Sequence, residues 1–187
     1  MDNGNETGKR MSKLKRIVRY SVTVIASLLL LFVCIEIYTF YQLSSEKLFK
    51  ENYTAYELTT TNERKNGTES KIAKAYREKK YAEVIKLNAT SVLSVKDIFL
   101  TAMSFLETND PSRAISNFQV VIADVKDDKN SELKDATEYY MAMAYLKNND
   151  YDQAIDLMNR IHDTPSHLYS KRISRKYINK IKRLKWR

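Results

Sequence analysis

Hydrophobicity along the chain follows two different periods. Between Arg19 and Glu36 the run YSVTVIASLLLLFVCI carries no charge and no polar stripe, and apolar and aromatic residues continue past Glu36 to Leu43. A helix over residues 20–43, rising about 1.5 Å per residue, is about 36 Å long and covers a hydrocarbon core of about 30 Å with some tilt. Tyr20 at one end and Tyr41 at the other suit the two interfaces where aromatic rings collect, with Leu28, Phe32 and Ile35 between them. The pattern predicts a transmembrane helix. Beyond Leu43 the signal weakens. Residues 44–56 are expected to extend the helix by a turn or two, and the polar stretch ELTTTNERKNGTES reads as a linker, so that 44–69 is a membrane-proximal extension and linker.

From Glu69 onward short amphipathic helices take over. Tyr151, Ala154, Ile155, Met158 and Ile161 fall at i, i+3, i+4, i+7 and i+10, one apolar stripe. The segment KDATEYYMAMAYLKN precedes it across Asn149 and Asp150, a connection so short that the two helices must be antiparallel neighbours, with the small Ala142 opposite Ala154. Upstream, VKDIFLTAMSFLE and RAISNFQVVIADV repeat the arrangement across TNDPS, where Pro111 suits a first helical turn and Asp110 its cap. KIAKAYREKKYAEVIKLN is a weaker copy, with Ile72, Ala75, Tyr76, Tyr81, Val84 and Ile85 on its apolar faces. Helix, break and helix thus occur three times, at about 70–92, 93–126 and 134–163.

In these residues the chain resembles the tetratricopeptide repeat, whose unit of about 34 residues sets small and aromatic residues at fixed places in a helical hairpin. The matching positions are Ala142, Tyr145, Tyr151, Ala154 and Met158 in the last hairpin. In the middle one they are Ala102, Phe105, Ala114 and Phe118, with Pro111 in place of an aromatic; in the first, Ala75, Tyr81 and Val84. Val84 and Asn88 replace the small and bulky residues of the pattern, so the first copy is degenerate or capping. The signature position recurs at Val84, Ala114 and Ala154, implying a truncated second helix in the first copy and a polar inserted loop, KDDKNSELK, before the last. Residues 166–187 place Tyr169, Ile173, Tyr177, Ile181 and Leu184 on one stripe, as in the helix that closes the open end of a solenoid. The fold class is all-α: one N-terminal transmembrane helix, then a short TPR-like helical-hairpin solenoid with a C-terminal capping helix. The chain is similar to small single-pass membrane-anchored TPR proteins of Gram-negative bacteria. That resemblance implies a concave surface receiving a peptide or helix of a protein partner.

Composition removes other classes. Three Gly and two Pro leave no material for a Gly-rich phosphate loop, and a single Cys, Cys34, excludes an internal disulfide or a multi-thiolate metal site. His162 and His167 flank Pro165 at a separation that does not place two ligands on one helical face, and read as a solvent-exposed turn. No catalytic, cofactor or metal site is expected, and the enzyme class is set aside. Tyr139, Tyr140, Tyr145 and Tyr151 are expected to pack between repeat helices rather than to stack bases.

Charge sets the expected topology. Lys9, Arg10, Lys13, Lys15, Arg16 and Arg19 precede the span against only Asp2 and Glu6, whereas acids and bases interleave after it. The positive-inside rule puts this partly disordered tail, 1–19, in the cytoplasm and the repeats on the periplasmic side of an inner membrane, a single-pass signal-anchor arrangement. The formal charge of +9 is not a property of the repeats: residues 166–187 hold nine bases and no acid, and the middle of the chain is weakly acidic. Lys171, Arg172, Arg175, Lys176, Lys180 and Arg183 form a candidate docking face for an acidic partner or anionic lipid; nucleic acid is not the expected partner. Two other readings are a regulatory or signalling membrane protein, and an inverted topology with the repeats in the cytoplasm and the basic helix on anionic lipid or nucleic acid.

Overall fold

The computed structural model describes residues 4–58, 69–89, 93–125 and 132–186, with side chains from Arg19 onward. The chain separates into two units, 1–43 and 44–187. All regular structure among the described residues is helical.

The first unit is one helix, α1 (Gly4–Tyr41). It begins inside the tail expected to be partly disordered; once the long apolar stretch is helical, each further residue adds a hydrogen bond without a new nucleation cost. The bases at positions 9–16 lie on this helix, but their side chains are outside the described residues. Arg19–Tyr41 has a mean hydropathy of 2.3 with none of it buried, long and apolar enough to cross a membrane. Its hydroxyls turn back onto the helix: Thr23 donates to the Tyr20 carbonyl at 2.8 Å, Ser27 to Val24 at 2.8 Å and Thr39 to Glu36 at 2.9 Å. Back-bonding of this kind satisfies the hydroxyls without solvent, as an apolar surrounding requires.

The helix does not run on past Leu43. Ser44 is extended, and its side chain accepts from the Lys47 backbone N–H, capping a separate helix, α2 (Ser45–Asn52). A Ser at this place competes for the backbone it would otherwise leave to the preceding helix.

The second unit continues with α3 (Lys71–Arg77), α4 (Tyr81–Asn88), α5 (Val95–Glu107), α6 (Pro111–Val125), α7 (Glu132–Lys147), α8 (Tyr151–Asp163) and α9 (Arg175–Lys185). Each helix from α3 to α9 packs on the next, and α3 meets α5 and α5 meets α7, so the first helices of the hairpins stand side by side as in a helical-repeat solenoid. The shortness of α4 accounts for the close spacing of the first two repeats. The inserted loop is shorter than expected, since α7 starts at Glu132; its residues 126–131 lie outside the described ones.

The repeat is clearest in the backbone. Lys79, Asn109 and Asn149 are left-handed, at φ 57°, 64° and 66°. At each, the next backbone N–H reaches five residues back, Lys80 to Ala75, Asp110 to Phe105 and Asp150 to Tyr145, at 2.8–2.9 Å. These are three copies of the Schellman ending, which closes a helix and aims the chain back along it. Asp110 then caps α6, its carboxylate accepting from the Arg113 N–H at 3.2 Å.

Between the hairpins Val84, Ala102, Ala114, Phe118, Ala142, Ala154 and Met158 are completely buried, Phe105 nearly so, and Tyr81, Tyr145 and Tyr151 half-buried. The completely buried ones are core residues that hold the hairpins together. The C-terminal stripe departs from its expected form. Residues 166–174 are irregular apart from a 3₁₀ turn at Ser170–Arg172, and helix resumes only where Ser174 caps α9. Ile173, Tyr177, Ile181 and Leu184 are nonetheless buried.

Candidate functional site

The stacked first helices create a groove, and the chain fills it with its own residues. Leu48 and Phe49 of α2 are buried, and the extended stretch after Asn52 runs on past α7 and α5 toward α3. This corrects the reading of residues 44–56 as a helix extension. It also corrects the picture of an open concave surface. The physical cause is that Leu48 and Phe49, with the half-buried rings of Tyr53 and Tyr56, carry more apolar area than a solvated linker tolerates; burying the Leu48 and Phe49 side chains gains about 1.5–3 kcal/mol each.

Four tyrosine hydroxyls from three helices hold the main chain of this segment. Tyr177 on α9 donates to the Leu48 carbonyl at 2.8 Å, Tyr139 on α7 to Asn52 at 2.6 Å, Tyr140 on α7 to Thr54 at 2.9 Å and Tyr76 on α3 to Tyr56 at 3.0 Å. The Asn52 carbonyl at the end of α2 and those of Thr54 and Tyr56 beyond it have no partner within the helix and would otherwise lose water without compensation. Side chains add to the grip. The Tyr53 hydroxyl donates to Glu107 on α5, Lys180 on α9 pairs with Glu51 at 2.6 Å, and the Asn52 amide donates to the Arg172 carbonyl at 3.2 Å. Ser45 donates to Asn149 at 2.5 Å, in the turn before α8. Rings complete the packing: Phe49 stacks on Tyr53 with centroids 4.4 Å apart, Tyr56 meets Phe99 edge-on at 4.8 Å, and Lys147 sits 4.4 Å over Phe49. Burial pushes the hydroxyls of Tyr53, Tyr76, Tyr140 and Tyr177 far above the usual phenol range, which keeps them donors at any ordinary pH.

The tyrosines were placed in the core by their periodicity, and Tyr139 and Tyr140 are indeed buried. Their hydroxyls carry the recognition, which periodicity cannot report. The signal available was the choice of ring: thirteen Tyr against six Phe is a large preference for a hydroxyl on faces that need only an apolar ring. Glu107 and Lys180 had no comparable signal.

His167 is not in an exposed turn. The turn around Pro165 folds onto α7, where the Leu168 N–H donates to Asp135 at 2.7 Å, and the ring is buried with Nε2 3.5 Å from Glu138 and 3.7 Å from Asp135. The Tyr169 N–H donates to His167 Nδ1, so the ring proton sits on Nε2, facing the carboxylates. That contact holds Glu138 below the usual carboxylate range. A cleft of about 500 Å³ opens beside it, lined by Glu132, Arg160 and Thr164 among others. Among the described residues no group of three or more His, Cys, Asp or Glu is placed to hold a metal ion.

The six residues of the candidate basic face do not form one free surface. Lys180 is engaged by Glu51, Arg175 by Asp163 at 2.5 Å, and Arg172 lies 5.6 Å over the Tyr169 ring. Lys171 and Lys176 are exposed.

Residues 136–164, covering α7 and α8, match the family model described as Tetratricopeptide repeat. No curated protein and no solved structure matches the chain. The match supports a tetratricopeptide-repeat relationship and fits the helical-repeat solenoid, a fold whose usual work is protein–protein interaction.

Proposed function

We propose that the chain is a membrane-anchored protein–protein interaction module. Residues 20–43 span the membrane once, the basic tail stays in the cytoplasm, and the repeat unit is displayed on the other side, in a cell of inner-membrane and periplasmic type on the periplasmic side. The groove formed by α3, α5, α7 and α9 receives a polypeptide of a protein partner and turns over no substrate.

The observation that carries this reading is the set of four tyrosine hydroxyls on consecutive stretches of one main chain. Main-chain hydrogen bonds together with burial of Leu48 and Phe49 are how the groove holds a segment that is helical over Ser45–Asn52 and non-helical beyond it. Residues 45–56 are the resident occupant, and a partner segment takes the same places by displacing them. A peptide copy of residues 44–58, added to full-length protein weakened in its own segment by Phe49→Ala, tests this. Binding is expected, and is weakened by Tyr140→Phe. No binding to the folded variant would refute the groove. For topology, Ser166→Cys in a Cys34→Ser background should be labelled by an impermeant reagent from the periplasmic side; labelling from the cytoplasmic side would invert the arrangement.

A further inference from the structure

The basic end of α9 remains unexplained by the groove. Its apolar stripe, Tyr177, Ile178, Ile181 and Leu184, is fully used against the unit's interior. On the opposite side Arg175, Asn179, Lys182 and Trp186 recur at i, i+4, i+7 and i+11, one exposed ridge, flanked by exposed Lys176. Trp186 is 84% exposed, the most exposed of the large hydrophobic side chains, and it is the one Trp in the sequence. Lys176 and Lys182 face no carboxylate among the described contacts.

A solvated cap needs lysines, but it gains nothing from an indole held in water. The combination of cations with a projecting indole suits a bilayer surface: ammonium groups meet lipid phosphates while the ring enters the layer between headgroup and acyl chain. Covalent connection to the span enters the unit at this same end. Ser45 follows Tyr41 by four residues, a stretch that reaches at most about 14 Å. Ser45 is bonded to Asn149 and lies 3.5 Å from the Tyr151 hydroxyl; the neighbouring Asp152 pairs with Lys185 at 2.5 Å, next to Trp186. The edge of the repeat unit that carries Trp186 is therefore the edge that holds the unit's own first residues, at Ser45.

We propose that Lys176, Lys182 and Trp186 form a docking site for anionic lipid headgroups, on the leaflet where α1 ends. The site rests on α1 spanning the bilayer. Its effect is to fix the repeat unit against the membrane surface. Each cation placed near an anionic surface adds about 1 kcal/mol to such a contact, so the ridge is a weak site made effective by its tether.

The lone Trp supplies the test. Full-length protein is placed in nanodiscs of phosphatidylcholine alone, or of equal parts phosphatidylcholine and phosphatidylglycerol, each with or without brominated acyl chains. In the anionic discs Trp186 emission should shift to the blue and lose most of its intensity to bromine. Lys176→Glu with Lys182→Glu should abolish both effects with helix content unchanged. Water-like, unquenched emission in anionic discs would overturn the site. Equal quenching in both disc types would overturn the anionic headgroup as its ligand. A blue shift without bromine quenching would mean burial against protein and would overturn it as well. Failure of the span is distinguishable, because such protein would elute free of discs, refuting the anchor and this contact together.

Discussion

The Tyr139 hydroxyl donates to the Asn52 carbonyl at 2.6 Å across 87 residues of sequence. It ties α7, the best-matched helix of the repeats, to a stretch of chain that belongs to no repeat. The solenoid and its occupant are one folding unit, and the consequences can be measured.

Tyr139→Phe keeps the ring and removes the donor, leaving a part-buried carbonyl without this partner. The expected cost is about 1–3 kcal/mol of stability, read by urea unfolding. The same change at Tyr145, half-buried and outside the segment's contacts, should cost less. Equal losses would remove the special role given to the groove hydroxyls.

Lys79 occupies a left-handed place that Asn fills in the other two turns. A non-glycine residue there costs about 1–3 kcal/mol, so Lys79→Gly should raise the unfolding midpoint, by the equivalent of about 1 kcal/mol after the extra flexibility of the unfolded chain is subtracted. Asn149→Ala should lower it. Calorimetry of the two variants side by side decides this.

High pH should open the groove. Burial raises the pKa of four phenols, Tyr53, Tyr76, Tyr140 and Tyr177, above the ordinary value of about 10. Above that pH the unfolded chain gives up protons that the folded one retains, so the stabilisation is complete below pH 10 and declines as pH rises beyond it. Helix signal recorded on alkaline titration should fall above pH 10, and Tyr140→Phe should flatten the slope.

Low pH acts at the other end of α7. The His167 contact holds Glu138 below the ordinary carboxylate value of about 4.5. Its contribution is present above pH 4.5 and is lost as pH falls through the lower folded value. In His167→Gln the acid limb of a stability profile should therefore be shallower; an unchanged limb would show that the pair contributes nothing.

How far the fold could be read in the sequence depended on whether the information was local. The stripe from Tyr151 to Ile161 and the two-residue turn before it are local, and α7 and α8 formed as expected. So did the truncation of α4, read from the spacing of Val84 and Ala114. The burial of His167 was not legible, because it is decided by a partner far along the chain, Asp135 for Leu168; the breaks at Ser44 and Ser174 rest on local serine caps, which apolar periodicity does not report. Residues 44–56 read as a helix extension because nothing local reports that Leu48 and Phe49 are buried against the repeats.

The meeting of α2 with α9 has a kinetic side. Tyr177 reaches Leu48, and Lys180 reaches Glu51, each across 129 residues. Hairpins such as α7 and α8 close over short loops and form early, whereas contacts of this separation carry a larger closure entropy and come late. On a ribosome α2 emerges well before α9, its counterpart, and waits with Leu48 and Phe49 uncovered while the repeats are made. The segment is thus a hydrophobic exposure during synthesis, and its capture by α9 marks completion of the domain.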